Sequence, residues 1–167
     1  LIRLLKSKYK LATLSRGYGR KTTGFILADE TATAQQIGDE PMQFFNKFRS
    51  EVTVAVGEER AFAIPNIMAE QPDTEAILLD DAYQHRKVNP SLNILLTDFN
   101  RPFYQDYLLP SGRLREARVG AKRADIIIVS KCQPTLSKAE MTVIEGKIRQ
   151  YSLPESPIFF SYIRYAK

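Results

Sequence analysis

An uninterrupted apolar run, Ile77-Leu78-Leu79, ends in two acids, Asp80 and Asp81. A buried strand that finishes this way sets carboxylates at the edge of a sheet. There they can hold the Mg²⁺ of a nucleotide, which takes one or two carboxylates together with water and phosphate oxygens. A solvated turn or a helix cap is the simpler use of the same residues. His85, the one histidine, follows closely in Asp80-Asp81-Ala82-Tyr83-Gln84-His85. It can bind substrate, pair with a carboxylate or orient a phosphate, or be an ordinary hydrogen-bonded surface histidine. In Gly38-Asp39-Glu40-Pro41 the proline and the acids before it fit the first turn of a helix. Asp39 can equally act as general base on a hydroxyl that attacks phosphate. Leu109-Pro110-Ser111-Gly112-Arg113-Leu114-Arg115-Glu116 reads as a turn followed by a helix start. It opens a basic stretch of Arg113, Arg115, Arg118, Lys122 and Arg123. The planar guanidinium suits bidentate phosphate binding; a solvated helix face is the alternative. The glycines of Arg16-Gly17-Tyr18-Gly19-Arg20 either let the backbone approach a ligand or make a turn.

These residues need elements to position them. The apolar spacing predicts a helix over Leu1 to Tyr9 and another from Pro41, with Met42, Phe44, Phe45 and Phe48 on its apolar face. Glu58 to about Glu70 reads as helix interrupted near Pro65. Strands are expected at 11–15, 52–56, 76–79, 93–96, 125–129 and 158–165, with 25–28 as an edge segment. Ser137-Lys138-Ala139-Glu140 is a capping box that opens a helix carrying Met141, Ile144 and Ile148. Strands that are apolar throughout are buried on both faces; separated by helices, they imply an α/β fold with a mostly parallel sheet. Ligands of such sheets bind beyond the carboxyl ends of the strands. That is where Arg16 to Arg20, Asp80, Asp81, Asp98, Ser130 and Lys131 fall. No repeat or linker interrupts the chain, so residues 1–167 are expected to form a single α/β domain.

The composition agrees. The 167 residues are 44% hydrophobic and 26% charged, which excludes long disorder and a coiled-coil rod. No apolar run approaches the ~18 residues of a membrane span. The single Cys132 has no intrachain disulfide partner, and with His85 it is too isolated for a zinc site. With 24 Lys and Arg against 19 Asp and Glu, phosphate-bearing partners are favoured. Neither a Gly-x-Ser-x-Gly elbow nor a Gly-x-x-x-x-Gly-Lys-Ser/Thr phosphate loop is present. Leu1 to Lys6 begins in a helical pattern without an initiator Met or an N-cap. The expectation is a fragment whose first strand and phosphate loop lie before Leu1.

Taken in order, the motifs resemble the tetraacyldisaccharide 4'-kinase family of the lipid A pathway. The resemblance is carried by Leu14-Ser15-Arg16-Gly17-Tyr18-Gly19-Arg20, Gly38-Asp39-Glu40-Pro41, Val54-Ala55-Val56-Gly57-Glu58-Glu59-Arg60 and Asp80-Asp81-Ala82-Tyr83-Gln84-His85. It continues through Leu109-Pro110-Ser111-Gly112-Arg113-Leu114-Arg115-Glu116 and Arg123-Ala124-Asp125, to about Lys131. Where Ala82 stands the family usually has Gly, where Ser111-Gly112-Arg113 stands Ala-Gly-Pro, and where Ala117 stands often Pro. The resemblance implies a P-loop NTPase-like fold. It also implies transfer of the ATP γ-phosphate, with Mg²⁺, to the 4'-hydroxyl of a lipid A disaccharide precursor. The work would be done at the cytoplasmic face of the bacterial inner membrane; independently of the resemblance, the basic residues are expected to help hold an anionic membrane surface. Residue by residue, it implies Asp80 and Asp81 as the Mg²⁺-associated acids and Asp39 as general base. Arg60, Gln84 and Arg115 become contacts of the sugar-phosphate head group, and His85 and Glu116 further active-site positions. A second histidine of the catalytic dyad is expected after Lys167, so the chain alone is expected to be inactive.

Two other readings share some features. A regulatory P-loop GTPase-like switch has the same strand-then-acid pattern, but of Asn-Lys-x-Asp the segment Ser130-Lys131-Cys132-Gln133 keeps only the lysine. A nucleic-acid-binding module needs one continuous basic stripe with exposed aromatics. Here the cations sit at several strand ends with acids between them, and no nucleic-acid partner is expected.

Overall fold

The computed structural model describes residues 1–164. Where a single domain is expected, the contacts of the chain fall into two compact units, Leu1–Val88 and from Asn89 onward. No Gly-, Pro- or Ser-rich linker marks that boundary in the sequence.

The first unit is a four-stranded sheet built on β1 (Leu11–Ser15), every residue of which is buried. β3 (Val52–Val56) and β4 (Ala76–Leu79) flank it, both parallel to it, and the short β2 (Ile26–Leu27) adds an antiparallel edge beside β3. The chain leaves β1 through α2 (Ala34–Ile37) and α3 (Asp39–Phe48) to reach β3 on one side. It then returns through α4 (Arg60–Glu70) to β4 on the other side. Right-handed crossovers that run in opposite directions put their helices on opposite faces of the sheet. Side chains alternate along each strand, so two separate cores result. Ala12, Leu14 and Ala55 pack with Ala63 and Ile67 of α4. Leu11 and Val52 pack with Phe44 and Phe48 of α3 and with Ile2 and Leu5 of the short α1 (Ile2–Leu5).

Two helices differ from expectation. α1 stops at Leu5, and Lys8 and Tyr9 turn back to donate to the Leu5 carbonyl. Tyr9, the last residue of the expected helix, is 46% exposed. α4 runs unbroken through Pro65. The carbonyl that Pro65 leaves without a donor belongs to Ala61, which is exposed and open to hydration. The Asn66 side-chain amide donates to Phe62 O at 2.8 Å beside the gap.

The second unit holds a parallel sheet of β5 (Ile94–Asp98), β6 (Ile126–Ser130) and β7 (Ile158–Phe160), with β6 central. Pairing of β7 ends at Phe160; Tyr165, included in the expected strand, lies outside the described residues. α5 (Lys138–Arg149) starts at the expected capping box: Glu140 N donates to Ser137 Oγ, and Ser137 N to Glu140 Oε2 at 2.8 Å. No helix starts at Leu109 to Glu116. The segment is a loop in which Leu114 N donates to Tyr107 O and Leu109 N to Leu114 O. Helical turns begin only at Arg118, as a 3₁₀ helix to Arg123. The buried Asp106 carboxylate ties both ends of this loop together. It accepts the amides of Tyr107 and Arg113 and the guanidinium of Arg101.

Candidate active site

β1, β3 and β4 are parallel neighbours, so their carboxyl ends share one edge of the first sheet. Main-chain bonds carry the register into the loops beyond: Gly57 N donates to Ser15 O and Asp80 N to Leu14 O, both at 3.0 Å. Asp80 and Asp81 therefore emerge beside Arg16 and Gly57. Both acids are exposed, and Asp81 takes a left-handed backbone with φ 45°. Their charge reaches Glu40 in the first turn of α3. That carboxyl is held above its usual range, first by partial desolvation and then by Asp80 and Asp81.

Arg60, at the start of α4, backs this edge. Its side chain is 1% exposed. The guanidinium donates to Gly57 O, to Glu58 O and, at 3.4 Å, to the Asp80 carbonyl. Burial lowers its pKa from the usual arginine value, while Asp81 and Asp80 oppose that shift. The guanidinium thus faces the strand ends from inside the fold, and Nε has no partner. The resemblance had assigned it to a ligand's head group; here it steadies the main chain that carries Asp80.

Asp39 is the first residue of α3 and is exposed, where the helix macrodipole favours a carboxylate. Its position depends on two glycines that touch through their backbones. A Cβ on Gly17 would lie 2.6 Å from Ile37 O, and one on Gly38 2.9 Å from Tyr18 O. Both have positive φ. The loop after β1 and the start of α3 are locked together at atoms that cannot give way. The loop is also pinned at its far end. Arg20 Nη2 donates to Glu58 Oε1 at 2.5 Å and to Gly24 O at 2.6 Å, and Gly24 N donates to Glu58 Oε2 at 2.9 Å. Neither Glu40 nor the Arg20–Glu58 pair is a sequence-predicted site residue. The first looked like a helix-dipole acid, and the second joins residues far apart in the chain.

Gln84 is half-buried, and its buried Oε1 has no partner; His85 is also half-buried, with its main-chain N–H donated to Ala82 O. Arg115 and Glu116 belong to the second unit. Arg115 is exposed. Glu116 is held by Arg123, whose Nη2 reaches Oε1 at 2.8 Å and Oε2 at 2.9 Å.

The acid pair at the end of β4 can be tested against the chemistry of a bound metal. Among the described residues no three His, Cys, Asp or Glu side chains converge into a protein-only metal cage. An exposed acid pair whose negative field already raises a neighbouring carboxyl fits Mg²⁺, which keeps water and phosphate oxygens for its remaining positions.

The chain matches the family model of tetraacyldisaccharide-1-P 4'-kinase over residues 1–157. It is 48% identical over 165 residues to the tetraacyldisaccharide 4'-kinase of Flavobacterium psychrophilum, covering 99% of this chain and 48% of that protein. The protein of that name from Parabacteroides distasonis is 48% identical over 169 residues, covering 100% of this chain and 45% of its own length. A crystal structure of LpxK from Aquifex aeolicus in complex with ATP superposes with a TM-score of 0.66. Its sequence is 35% identical, and the match covers 77% of this chain and 40% of that one. The chain thus spans a little under half the length of these relatives.

Proposed function

Because the chain belongs to the tetraacyldisaccharide-1-P 4'-kinase family, we propose that its protein transfers the γ-phosphate of ATP to the 4'-hydroxyl of a tetraacyldisaccharide 1-phosphate, a step of lipid A biosynthesis. The observation that carries this reading is the acid edge of the first sheet: Asp80 and Asp81 exposed at the end of β4, with Arg60 behind them and Glu40 within their field.

Phosphoryl transfer asks a protein for positioning and charge neutralisation more than for covalent chemistry. Asp80 and Asp81 would hold Mg²⁺, which when bound would supply neutralisation of the phosphate charge. Asp39 accepts the proton of the attacking hydroxyl, a role that an exposed carboxylate at a helix N-terminus can fill. Arg60 fixes the main chain at Asp80 and lends positive charge from within. Gln84, with its unpartnered Oε1, and His85 are the head-group contacts of the first unit; by the family pattern Arg115 has that role in the second unit, where Arg123 holds Glu116. No Gly-x-x-x-x-Gly-Lys-Ser/Thr loop occurs in this sequence, and the reading assigns the ATP phosphates to none of its residues. The protein works at the cytoplasmic face of the bacterial inner membrane, peripherally, where its lipid substrate lies.

The test is transfer of γ-labelled phosphate from ATP, with Mg²⁺, to tetraacyldisaccharide 1-phosphate. It uses the protein with whatever residues its gene carries before Leu1 and after Lys167. Labelled lipid with phosphate at the 4' position is the expected product. Nucleotide hydrolysis that never labels lipid would contradict the reading and favour a nucleotide-driven switch.

A further inference from the structure

The segment from Tyr107 to Val119 in the second unit carries, besides Arg115 and Glu116, an exposed apolar groove and further cations that the kinase chemistry does not use. Tyr107 is 65% exposed, Leu108 49%, Leu109 62% and Val119 56%. With Leu114 and Tyr151 they line one shallow groove of about 690 Å³. Single exposed apolar side chains need no explanation, but contiguous ones rimmed by polar groups mark a contact surface. The segment that carries the groove is mainly cationic. Between residues 107 and 123 stand five cations against one anion, in a chain whose whole net charge is +5. That anion, Glu116, is taken up by Arg123. The next acid, Asp106, is taken up by Arg101, with Nε at 2.9 Å and Nη2 at 3.2 Å. Arg113, Arg115 and Lys122 are exposed on this segment.

The segment is also held in shape. Arg118 donates through Nε and Nη2 to Asp106 O, at 3.1 and 2.8 Å. Its guanidinium lies over the Tyr107 ring at 5.4 Å and the Tyr151 ring at 5.8 Å. Little ordering is left to be done on binding.

We propose that the Leu108-Leu109 loop with Val119 is a bilayer-docking surface, whose apolar side chains enter the headgroup boundary of an anionic membrane while Arg113 and Lys122 hold its phosphates. An interfacial element needs an apolar face with a cationic flank, and this segment has both. The same positive excess opposes docking of a second copy onto this face, because the two segments repel. The inference deepens the lipid-kinase reading, on which its biological sense rests, but its physical basis lies wholly in the second unit.

The test is an environment-sensitive fluorophore on Leu109→Cys and, separately, Val119→Cys, in a Cys132→Ser background at the protein's full natural length. Gly146→Cys, on open α5 surface, is the control. Vesicles of phosphatidylglycerol are compared with vesicles of phosphatidylcholine, without ATP or lipid A precursor, so failure of the kinase reading leaves the result untouched. The expected result is a blue shift at 109 and 119 but not at 146, with anionic vesicles only, and reversed by high salt. Arg113→Gln with Lys122→Gln should weaken vesicle binding about 25-fold, at about fivefold per charge. Four results would overturn the proposal. The first is no shift. The second is equal shifts with both lipids. The third is a shift without vesicles that grows with protein concentration, which would indicate a second copy. The fourth is a fluorophore site that cannot be labelled in the native protein, which would mean that other parts of the polypeptide cover the loop.

Discussion

Replacing Gly38 by alanine should be among the most damaging single-methyl changes in the protein. Gly38 sits at φ 94°, ψ 159°, a backbone region that is essentially glycine's alone and costs other residues about 1–3 kcal/mol. The new Cβ would stand 2.9 Å from Tyr18 O and 3.1 and 3.2 Å from Gly17 C and Cα. All three are main-chain atoms, so relief requires moving the loop after β1 away from α3. Overpacking of this kind costs roughly 1–3 kcal/mol, and the two penalties together reach about 2–6 kcal/mol. Against a typical stability of about 5–15 kcal/mol, that is a large fraction. The assay is urea denaturation of the full-length protein, with Gly146→Ala beside it. Gly146 lies inside α5 with nothing within 4 Å of a Cβ, so the same substitution there should stabilise by about 0.5–1 kcal/mol. The same methyl group is thus expected to have opposite signs at the two positions. A Gly38→Ala cost below about 1 kcal/mol would refute the claim that the two glycine loops are locked.

Other consequences follow from named contacts. Glu58→Gln removes the charge that pairs with the buried Arg20 guanidinium and should cost about 1–2 kcal/mol by denaturant titration, with faster amide exchange at Gly24, which loses its carboxylate acceptor. Asp106 is held below the usual carboxylate range, first by the Arg101 guanidinium and then by main-chain amides. A depressed folded-state pKa gives stability that is present above the unfolded value and lost as pH falls through the folded one. Acid titration should therefore loosen the 107–114 loop, seen as faster amide exchange at Tyr107 and Arg113, and Asp106→Asn should abolish that pH dependence. Ser137→Ala removes the N-cap of α5 and should cost about 1 kcal/mol.

Much of the framework was legible because it is local. The continuous apolar runs at 11–15, 52–56 and 76–79 became adjacent parallel strands, and the acids after Leu79 stand at their carboxyl edge, as the pattern required. Ser137 and Glu140 announced α5 through one reciprocal pair of hydrogen bonds. What was not legible depends on contacts between distant residues. Pro65 argued for a break in α4, yet Ala61, whose carbonyl loses the Pro65 donor, is exposed and the helix continues. Leu109 to Glu116 had turn residues followed by helix formers, but the segment folds as a loop whose two ends are tied to the Asp106 carboxylate. The family resemblance implied a head-group contact at Arg60; only the folded chain places it inside, against Gly57, Glu58 and Asp80. Glu40 was readable as a helix-dipole acid, and its nearness to Asp80 and Asp81 needed the sheet order.

The central claim is that Asp39 and the Asp80-Asp81 pair carry phosphoryl transfer. Its most direct test is steady-state kinetics of lipid labelling by full-length wild type, Asp39→Asn and Asp80→Asn, with folding checked by denaturation. Asp39→Asn should lower kcat about 10²–10⁴-fold, the usual worth of a positioned general base, with little change in KM for the lipid. Asp80→Asn should also lose most activity and require more Mg²⁺ for what remains. Wild-type kcat in either folded variant would contradict the assignment.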